Sequence, residues 1–347
     1  MHLMLERDSL IYMIGDCFSL HFILLIIHQK YAFFYSILNV NHIKIFSPAT
    51  VSNVACGFDV LGFPIESIGD EMVVSKTPNK SLTISEISGY DIPTEINKNV
   101  ATIAAMELIK YLKPTCGFDL KIHKNIIPGS GIGSSGSSAA AAVYAINKLL
   151  GSPLSKKELI RFAMKGEVAS SISEHADNVA PAMMGGLVMV KSVSPLNIIK
   201  LPTPSELFCF VLHPKIEVKT SQSREVLPEK VSLKDTTLQV SNFGSLVHAL
   251  HTEDYDLMGE SIKDYLIEEH RKKFIPLFDN VKEVCLGLGS LGCSISGSGP
   301  SVFALTRGVE KAKEIDASIS QLYKKSGVDF STYVSKISGT GVRVLSK

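Results

Sequence analysis

The amino-acid sequence predicts an α+β fold, and two observations support that prediction. From residue 43 onward, alternating strand patterns and apolar helical patterns both occur, but they do not follow one another in regular βαβ order. The composition is that of a globular protein, because 45% of the 347 residues are hydrophobic and 20% are charged. A chain of this length has room for about two domains.

Charge and cysteine content narrow the function classes. The 35 Lys and Arg residues against 34 Asp and Glu residues give a net charge of +1, so no overall positive field exists to hold a nucleic acid or an anionic membrane. The six cysteines are scattered without a C-x-x-C pair, which is typical of reduced thiols in a cytoplasmic protein. Because the net charge is close to zero, any anion-binding site must depend on a local group of residues.

Residues 1–42 form an atypical apolar extension. Its uninterrupted apolar run, residues 22–27, is far shorter than the ~20 residues of a membrane span, and no signal-peptide pattern surrounds it. Three explanations stay open: a membrane-associating or targeting appendage, a buried extra helix, and an upstream extension translated from a wrongly chosen start, which we favour. We expect one domain over residues 43–200 and a second over 201–347, divided where Pro202 and Pro204 interrupt the chain.

The periodicities predict individual elements. Strands are expected at residues 43–47, 71–76, 81–87, 118–123, 187–190, 208–212, 301–305, 332–337 and 342–345. Pro48 is expected to stop the regular pairing of the first strand, since proline removes a ladder hydrogen bond. Helices are expected at residues 99–112, 139–150, 155–171, 241–251, 256–267 and 274–286.

The strongest chemical signal is a Gly/Ser-rich segment that precedes the Ala-rich helix. Its residues are Pro128, Gly129, Ser130, Gly131, Ile132, Gly133, Ser134, Ser135, Gly136, Ser137 and Ser138. Closely spaced glycines leave backbone N–H groups uncovered and permit positive φ, so the donors can converge on phosphate oxygens. The following helix adds its free N-terminal N–H groups. We therefore predict a phosphate-binding loop.

Two familiar phosphate loops do not fit this segment. No G-x-x-x-x-G-K-[ST] pattern occurs, and although Gly131, Gly133 and Gly136 have G-x-G-x-x-G spacing, a proline turn precedes them and no βαβ unit follows. A flexible surface linker is the remaining alternative. It is disfavoured because linkers rarely abut an uninterrupted helix former.

Three motifs in order resemble those of the GHMP kinases. Pro128 followed by residues 131–135 (GIGSS) is similar to their second motif, residues 48–53 (PATVSN) to the first, and residues 296–301 (SGSGPS) to the C-terminal glycine motif. The resemblance spans residues 43–347. It implies an N-terminal ribosomal-protein-S5-like α/β domain, a C-terminal ferredoxin-like α+β domain, and a kinase that uses ATP and Mg²⁺.

Further segments are similar to the homoserine kinase branch of this family. They are residues 53–62, 175–186, 220–228 and 268–276; Val54, Ala55 and Cys56 depart from the pattern, which we expect to alter only turn geometry. The implied substrate is L-homoserine, phosphorylated on its side-chain hydroxyl in threonine biosynthesis. By this resemblance the amino-acid pocket is formed by Asn53, Asp59, His175, Asn178, Arg224 and Arg271.

The chemistry of these residue types suits a zwitterion. Arginine forks bind a carboxylate, here Arg224 and Arg271, and Asp59 offers a partner for the ammonium group. His175 and Asn178 have i, i+3 spacing, so on a helix they would share one face, and the intervening Asp177 would point elsewhere.

The resemblance also assigns the reacting centre. Glu167 and Ser135 are the implied Mg²⁺ ligands. Asn178 stands where mevalonate kinase-like relatives carry an aspartate, so we expect no dedicated protein base, with the γ-phosphate or solvent accepting the proton. Thr220 is implied near the γ-phosphate, and Asn99 near the adenine, both on weaker matches.

Three other functions stay open at this point. The chain could phosphorylate mevalonate, a sugar or shikimate; it could be a non-catalytic GHMP-fold binding protein; or it could be an enzyme anchored to a membrane by residues 11–40. A homodimer is the family expectation. No nucleic-acid or membrane partner is expected.

Overall fold

A computed structural model describes residues 41–168, 175–218 and 220–347 and contains two β-sheets with helices packed on them. The expectations for residues 1–40 lie outside the described residues. The strands are β1 (His42–Ser52), β2 (Leu61–Thr77), β3 (Leu82–Gly89), β4 (Gly117–Lys124), β5 (Val188–Val193), β6 (Leu196–Lys200), β7 (Leu207–Pro214), β8 (Gly292–Ile295), β9 (Val302–Arg307), β10 (Phe330–Lys336) and β11 (Arg343–Ser346).

Ten α-helices occur in the described ranges. They are α1 (Val100–Leu112), α2 (Ser134–Leu149), α3 (Lys156–Val168), α4 (Val179–Met184), α5 (Thr220–Glu225), α6 (Leu233–Thr252), α7 (Tyr255–Ser261), α8 (Glu268–Arg271), α9 (Phe278–Gly287) and α10 (Val309–Ser326). Single 3₁₀ turns lie at Ala55–Gly57 and Lys272–Phe274. In these ranges no helix is both long and apolar enough to cross a membrane.

The larger sheet has the order β11-β1-β2-β4-β3, with β5 and β6 attached through β2. Its pairs are antiparallel except β3 and β4, which are parallel and joined by α1. This βαβ unit precedes the Gly/Ser segment, and in the described residues it is the one place where adjacent strands are parallel. The α+β prediction is confirmed.

The smaller sheet has the order β10-β7-β9-β8. After β10 the chain returns to the larger sheet, where β11 pairs with β1. The last strand therefore belongs by hydrogen bonding to the same sheet as β1. The boundary near residue 200 stays a prediction.

Strand β1 is longer than predicted, and its regular pairing is interrupted after Pro48. The strand continues through Pro48 to Ser52, with a register shift between Pro48 and Thr50. Proline is tolerated because β11 covers only residues 44–46, so at Pro48 the strand is paired on one side alone. The irregularity turns the end of β1 toward the Gly/Ser segment, where the Thr50 N–H donates to the Ile132 carbonyl over 3.0 Å.

Helix α2 begins five residues earlier than predicted, at Ser134 rather than Ala139. Ser and Gly have low helix propensity, but nearly every residue of α2 is buried, and packing overrides propensity. Gly133 in a left-handed conformation (φ 69°) starts the helix. The second half of the Gly/Ser segment is therefore the first helical turn.

Other helical predictions also differ from the structure. Helix α6 begins at Leu233 rather than at residue 241, and α9 begins at Phe278 rather than at residue 274. The helix predicted at 256–267 ends at Ser261, because the Asp264 carboxylate accepts backbone N–H groups and starts α8 at Glu268 instead. Helix α10 was not predicted, although Ala312, Ile315 and Ile319 form a buried stripe at helical spacing. This apolar periodicity in the sequence could have predicted the helix.

Candidate active site

A cavity of about 530 Å³ brings together the segments singled out by their motifs. Its walls come from the end of β1 and the following turn, from the Gly/Ser segment, from the turn before α4, from α5 and from the C-terminal glycine turn. Asn53 and Gly297, 244 residues apart, are joined there by a 2.7 Å hydrogen bond from Asn53 Nδ2 to the Gly297 carbonyl.

The Gly/Ser segment has the backbone of an anion-binding loop. Gly129, Gly131 and Gly133 all have positive φ, at 73°, 78° and 69°. Alternation of left-handed glycines with ordinary residues turns successive N–H groups toward one side, and the N-terminus of α2 faces the same cavity. Lining the cavity are Pro128, Gly129, Ser130, Gly131, Gly133, Ser134, Ser135 and Ser138.

The other loop residues face the protein. Ile132 is 1% exposed and belongs to the core, and Ser137 Oγ donates to the Ser47 carbonyl over 2.9 Å. A Cβ on Gly136 would lie 3.3 Å from Asn178 Cβ, so this glycine allows α2 to approach Asn178. These residues shape the loop rather than line the cavity.

The C-terminal glycine turn braces the loop. Ser296 Oγ donates to the Gly131 carbonyl over 2.8 Å, and Ser301 Oγ donates to the Ser130 carbonyl over 2.6 Å. A Cβ on Gly131 would lie 2.6 Å from the Gly299 carbonyl oxygen, so only glycine permits this approach. The two glycine motifs therefore form one unit.

Glu167 and Ser135 meet at the first turn of α2. Ser135 Oγ donates to Glu167 Oε2 over 3.0 Å, and Glu167 is 8% exposed. Burial raises the pKa of Glu167 to about 7, against the lowering effect of the Ser135 hydrogen bond. A carboxylate and a hydroxyl are the hard oxygen donors that Mg²⁺ prefers, and two protein ligands are typical where phosphates and water complete the shell. In the described part of the chain, no three His, Cys, Asp or Glu side chains form a metal cluster.

A buried ion pair beneath the loop was missed from the sequence. Lys124 Nζ contacts the Asp70 carboxylate and donates to the Ser134 carbonyl (3.1 Å) and to Ser138 Oγ (2.9 Å). Asp70 also accepts the N–H groups of Asn125 and Ile126. Burial lowers the pKa of Lys124, and Asp70 opposes that effect. The sequence did contain a signal for this ion pair, because Asp70 on β2 and Lys124 on β4 each occupy a position whose side chain faces the core.

Asp59 is the centre of a charged cluster in the predicted amino-acid pocket. Arg224 Nη2 lies 2.9 Å and 3.1 Å from its two carboxylate oxygens, and His175 Nδ1 lies 3.7 Å from Oδ1. The Asp59 N–H donates to Asn53 Oδ1 over 3.0 Å. Burial lowers the pKa of His175, which Asp59 opposes, so the neutral imidazole is favoured.

Arg271 is held by the backbone and by an aromatic ring. Its Nε donates to the Ser223 carbonyl (3.0 Å) and its Nη1 to the Gly297 carbonyl (3.1 Å). Its Cζ lies 5.2 Å from the centroid of Phe58, and that of Arg224 lies 5.6 Å from it. Burial lowers the pKa of Arg271 to about 10, so the guanidinium stays charged at neutral pH.

The expected helix face for His175 and Asn178 is wrong. These residues lie on the turn that precedes α4, whose first helical residue is Val179. Asp177 consequently lines the cavity instead of pointing elsewhere, and it is 3% exposed. Burial, assisted by Asp59, raises the pKa of Asp177 to about 6.

The predicted nucleotide contacts of Asn99 and Thr220 are not tested by the structure. Asn99 lines the cavity, but its side chain caps α1 by accepting the Ala101 N–H and donates to the Pro93 carbonyl. Thr220 is the first residue of α5, and its side chain lies outside what the structure describes. Both roles stay predictions.

Comparison with known proteins identifies the family. The "GHMP kinases N terminal domain" model matches residues 99–186 and the "GHMP kinases C terminal" model matches residues 246–325. A homoserine kinase of Chlorobium phaeovibrioides is 42% identical over 314 residues, covering 86% of this chain and 98% of that protein. One from Pyrococcus abyssi is 37% identical, with 86% and 98% coverage.

Solved structures agree with the sequence matches. The crystal structure of homoserine kinase from Cytophaga hutchinsonii has a TM-score of 0.86 and 41% identity, covering 88% of this chain and 98% of that one. A mevalonate kinase of L. major, at 16% identity and a TM-score of 0.65, shows the shared fold alone.

The fold and the cavity define a GHMP kinase, and the chain belongs to that family. Within it, the chain belongs to the homoserine kinases, because the identity to them extends over nearly their whole length.

Proposed function

We propose that this protein transfers the γ-phosphoryl group of ATP to the side-chain hydroxyl of L-homoserine, giving O-phospho-L-homoserine and ADP. The observation that supports this best is one continuous cavity that contains both a phosphate-binding loop and a cluster of Asp59, Arg224 and Arg271. A nucleotide and a zwitterion would meet within it. The reaction serves threonine biosynthesis, and we place it in the cytoplasm.

The loop would hold the nucleotide phosphates through backbone N–H groups. The loop carbonyls of Gly131 and Ser130 accept hydrogen bonds from Ser296 and Ser301, so the backbone donors are preorganised. Lys124, although its ammonium is engaged by Asp70, contributes positive charge directly beneath the first turn of α2. Asn99 borders the same cavity and would lie near the base.

The charged cluster would bind the homoserine backbone atoms. Its carboxylate suits the guanidinium groups of Arg224 and Arg271, and its ammonium group suits Asp59. Arg224 and Asp59 pair with each other, so the substrate would insert both its charges into an existing ion pair. Asn53 and His175 complete this end as neutral partners.

Glu167 and Ser135 would hold Mg²⁺ at the phosphates. When bound, the ion supplies neutralisation of the charge on the β- and γ-phosphoryl oxygens. The two side chains already point at each other across 3.0 Å at the edge of the loop. The Glu167 carboxylate and the Ser135 hydroxyl supply the oxygen ligands that Mg²⁺ prefers.

Phosphoryl transfer needs positioning more than a covalent partner. The homoserine hydroxyl oxygen forms a bond to the γ-phosphorus while the bond from that phosphorus to the β,γ-bridging oxygen breaks, and ADP departs with the bonding electrons. The hydroxyl proton passes to a phosphoryl oxygen or to solvent. Asn178, whose amide cannot take a proton, would place the hydroxyl.

An acceptor panel tests the proposal. Purified full-length protein is assayed for ADP formation with ATP, Mg²⁺ and one acceptor at a time: L-homoserine, mevalonate, galactose or shikimate. We expect turnover with L-homoserine and less than about 1% of that rate with the others, because none of them carries an ammonium group to match Asp59. Turnover with mevalonate or a sugar but not L-homoserine would overturn the assignment. A homodimer, the family expectation, is tested by light scattering on the same sample.

A further inference from the structure

Arg271 lies on a helix that is too short to be stable by itself. Helix α8 has four residues, and a single turn gains too few backbone hydrogen bonds to offset the cost of nucleation. Contacts with neighbouring elements must therefore hold it. The Asp264 carboxylate shapes the turn into α8 by accepting the backbone N–H groups of Leu266 (2.9 Å), Ile267 (3.0 Å) and Glu268 (3.1 Å). These bonds join residues of one segment and do not attach it to a sheet.

The Glu268 side chain attaches α8 to the smaller sheet. Its Oε2 accepts a hydrogen bond of 2.6 Å from Ser294 Oγ on β8, and its Oε1 contacts Lys282 Nζ on α9. Glu268 and Ser294 are 8% and 2% exposed, so water competes little for their bond. Both carboxylate oxygens thus have partners, and these partners lie outside the lining described for the substrate cavity.

The same two segments are joined a second time at the cavity. Strand β8 continues into the C-terminal glycine turn, where the Gly297 carbonyl accepts from Arg271 Nη1 over 3.1 Å. Glu268 and Arg271 are separated by as many residues as Ser294 and Gly297. The two bonds are therefore successive ties between α8 and one continuous stretch of chain. The first tie sets where α8 lies along β8, and the position of α8 sets where the guanidinium reaches the cavity.

The Arg271 guanidinium keeps donors for a ligand. Its bonds to the Ser223 and Gly297 carbonyls use the Nε hydrogen and one Nη1 hydrogen, and neither Nη2 hydrogen is used by them. Since Arg271 lines the cavity, the remaining donors can meet a carboxylate there. A guanidinium binds a carboxylate best through two parallel N–H groups, and a displacement of about 1 Å is enough to weaken such a contact.

We propose that Glu268 is a positioning residue for the amino-acid substrate: through its bond to Ser294 it holds α8 against β8 and so fixes Arg271 for the substrate carboxylate. This rests on the proposed function, which assigns that carboxylate to Arg271. The phosphate-binding loop is braced by other side chains of the glycine turn, Ser296 and Ser301. Loss of the tie should therefore affect the amino acid and spare the nucleotide.

A double-mutant cycle tests the tie. Glu268→Ala removes the carboxylate and Ser294→Ala removes the hydroxyl, so each breaks the same hydrogen bond. We expect each to raise the KM for L-homoserine roughly tenfold and to leave the KM for ATP within about twofold. The double variant should have no higher KM than Glu268→Ala alone, because the bond is already lost. An unchanged KM for L-homoserine in Ser294→Ala, or losses that multiply in the double variant, would overturn the proposal.

The length of the side chain gives a second test at the same position. Glu268→Gln keeps the reach, and its amide can still bond the Ser294 hydroxyl, so the KM for L-homoserine should stay within about threefold. Glu268→Asp keeps the charge but is shorter by one methylene, so its KM should rise as in Ser294→Ala. The reverse order, with aspartate near wild type and glutamine impaired, would mean that charge matters and the tie does not, and would overturn the proposal.

Two controls separate positioning from stability. Lys282→Met removes the cation beside Glu268 and should lower the melting temperature, yet it keeps the Ser294 bond and should leave the KM for L-homoserine within about twofold. Ser290→Ala removes a hydroxyl of the loop before β8 that has no partner among the described residues, and it should change neither KM. A merely structural role would make KM follow the melting temperature across all these variants, which would overturn the proposal.

These measurements are read separately from the proposed function. If the wild-type protein forms no ADP with L-homoserine, the proposed function fails, and the variants are measured with whichever acceptor the wild type phosphorylates. If the wild type is active with L-homoserine and Ser294→Ala leaves its KM unchanged, only the positioning role fails.

Discussion

Arg224 Nη2 contacts both carboxylate oxygens of Asp59, at 2.9 Å and 3.1 Å, across 165 residues of sequence. We expect Asp59→Asn to raise the KM for L-homoserine by about 100-fold and to leave the KM for ATP nearly unchanged, because the change removes the ammonium partner and leaves a guanidinium unpaired. Glu86→Gln, which alters an exposed pair on β3, is the control. Steady-state kinetics with each substrate varied would measure both constants, and equal effects on the two would contradict the assignment.

Substitution of Glu167, which accepts a hydrogen bond from Ser135, is expected to reduce turnover without unfolding the protein. Glu167→Gln should lower kcat by at least about 100-fold, because the amide replaces the charge that holds the ion at the phosphates. Its melting temperature should not fall, since burying an ionised carboxylate is costly. Glu158→Gln on the same helix α3, at an exposed position, should stay active. Activity above half of wild type would remove Glu167 from the mechanism.

Lys124 and Asp70 form a fully buried pair, at 2% and 0% exposure. Lys124→Met should lower the free energy of unfolding by about 3–5 kcal/mol, because it leaves a buried carboxylate uncompensated. Adding Asp70→Asn should recover part of that loss. Lys121→Met at the exposed pair with Glu86 should cost less than about 1 kcal/mol. Urea denaturation measures the free energy of unfolding of all three variants, and similar losses for the two lysines would refute the distinction.

His213 supports the Gly/Ser segment indirectly, through Ser301. Ser301 donates to the Ser130 carbonyl, so the contact of 3.2 Å between Ser301 Oγ and His213 Nδ1 requires the imidazole to donate from Nδ1. Asparagine places an amide nitrogen near Nδ1, whereas glutamine places it near Nε2. We therefore expect His213→Asn to keep the KM for ATP within about threefold and His213→Gln to raise it roughly tenfold. Equal effects would contradict the Nδ1 role.

Asp177 predicts a pH effect on stability. Burial raises its pKa from 3.8 to about 6, so the folded state holds the proton more tightly than the unfolded one. The stabilisation from this proton is therefore complete below pH 3.8 and is lost as the pH rises toward 6, by about 3 kcal/mol. We expect Asp177→Asn to be more stable than wild type at pH 7.5 and to lose that advantage at pH 4. Thermal denaturation at both values tests this, and a destabilised variant at pH 7.5 would contradict it.

The local patterns of the sequence carried much of the fold. Alternation predicted β4 and β7 closely, and the apolar spacing before Leu112 predicted α1, because these signals follow from backbone geometry and one buried face. Where packing outweighs propensity they failed, as at Ser134, which is helical despite its glycine and serine neighbours.

The site was predictable as a set of residues but not as a set of contacts. The glycines at 129, 131 and 133 predict a phosphate-binding loop, because a backbone with positive φ is a local conformation that only glycine adopts at low energetic cost. That Asp177 faces the cavity was decided by a turn where a helix was expected. The Asp70 to Lys124 pair depended on the register of β2 against β4.

The sequence by itself therefore determined the loop, the family and the residue types of the pocket, since each lies within a short contiguous motif. Only the tertiary structure decided which charges neutralise one another and which way the Asn178 amide is turned. The physical reason is that a hydrogen bond joins atoms within about 3 Å. The partners of Asn178, Thr50 and Ser52, lie 128 and 126 residues away along the chain.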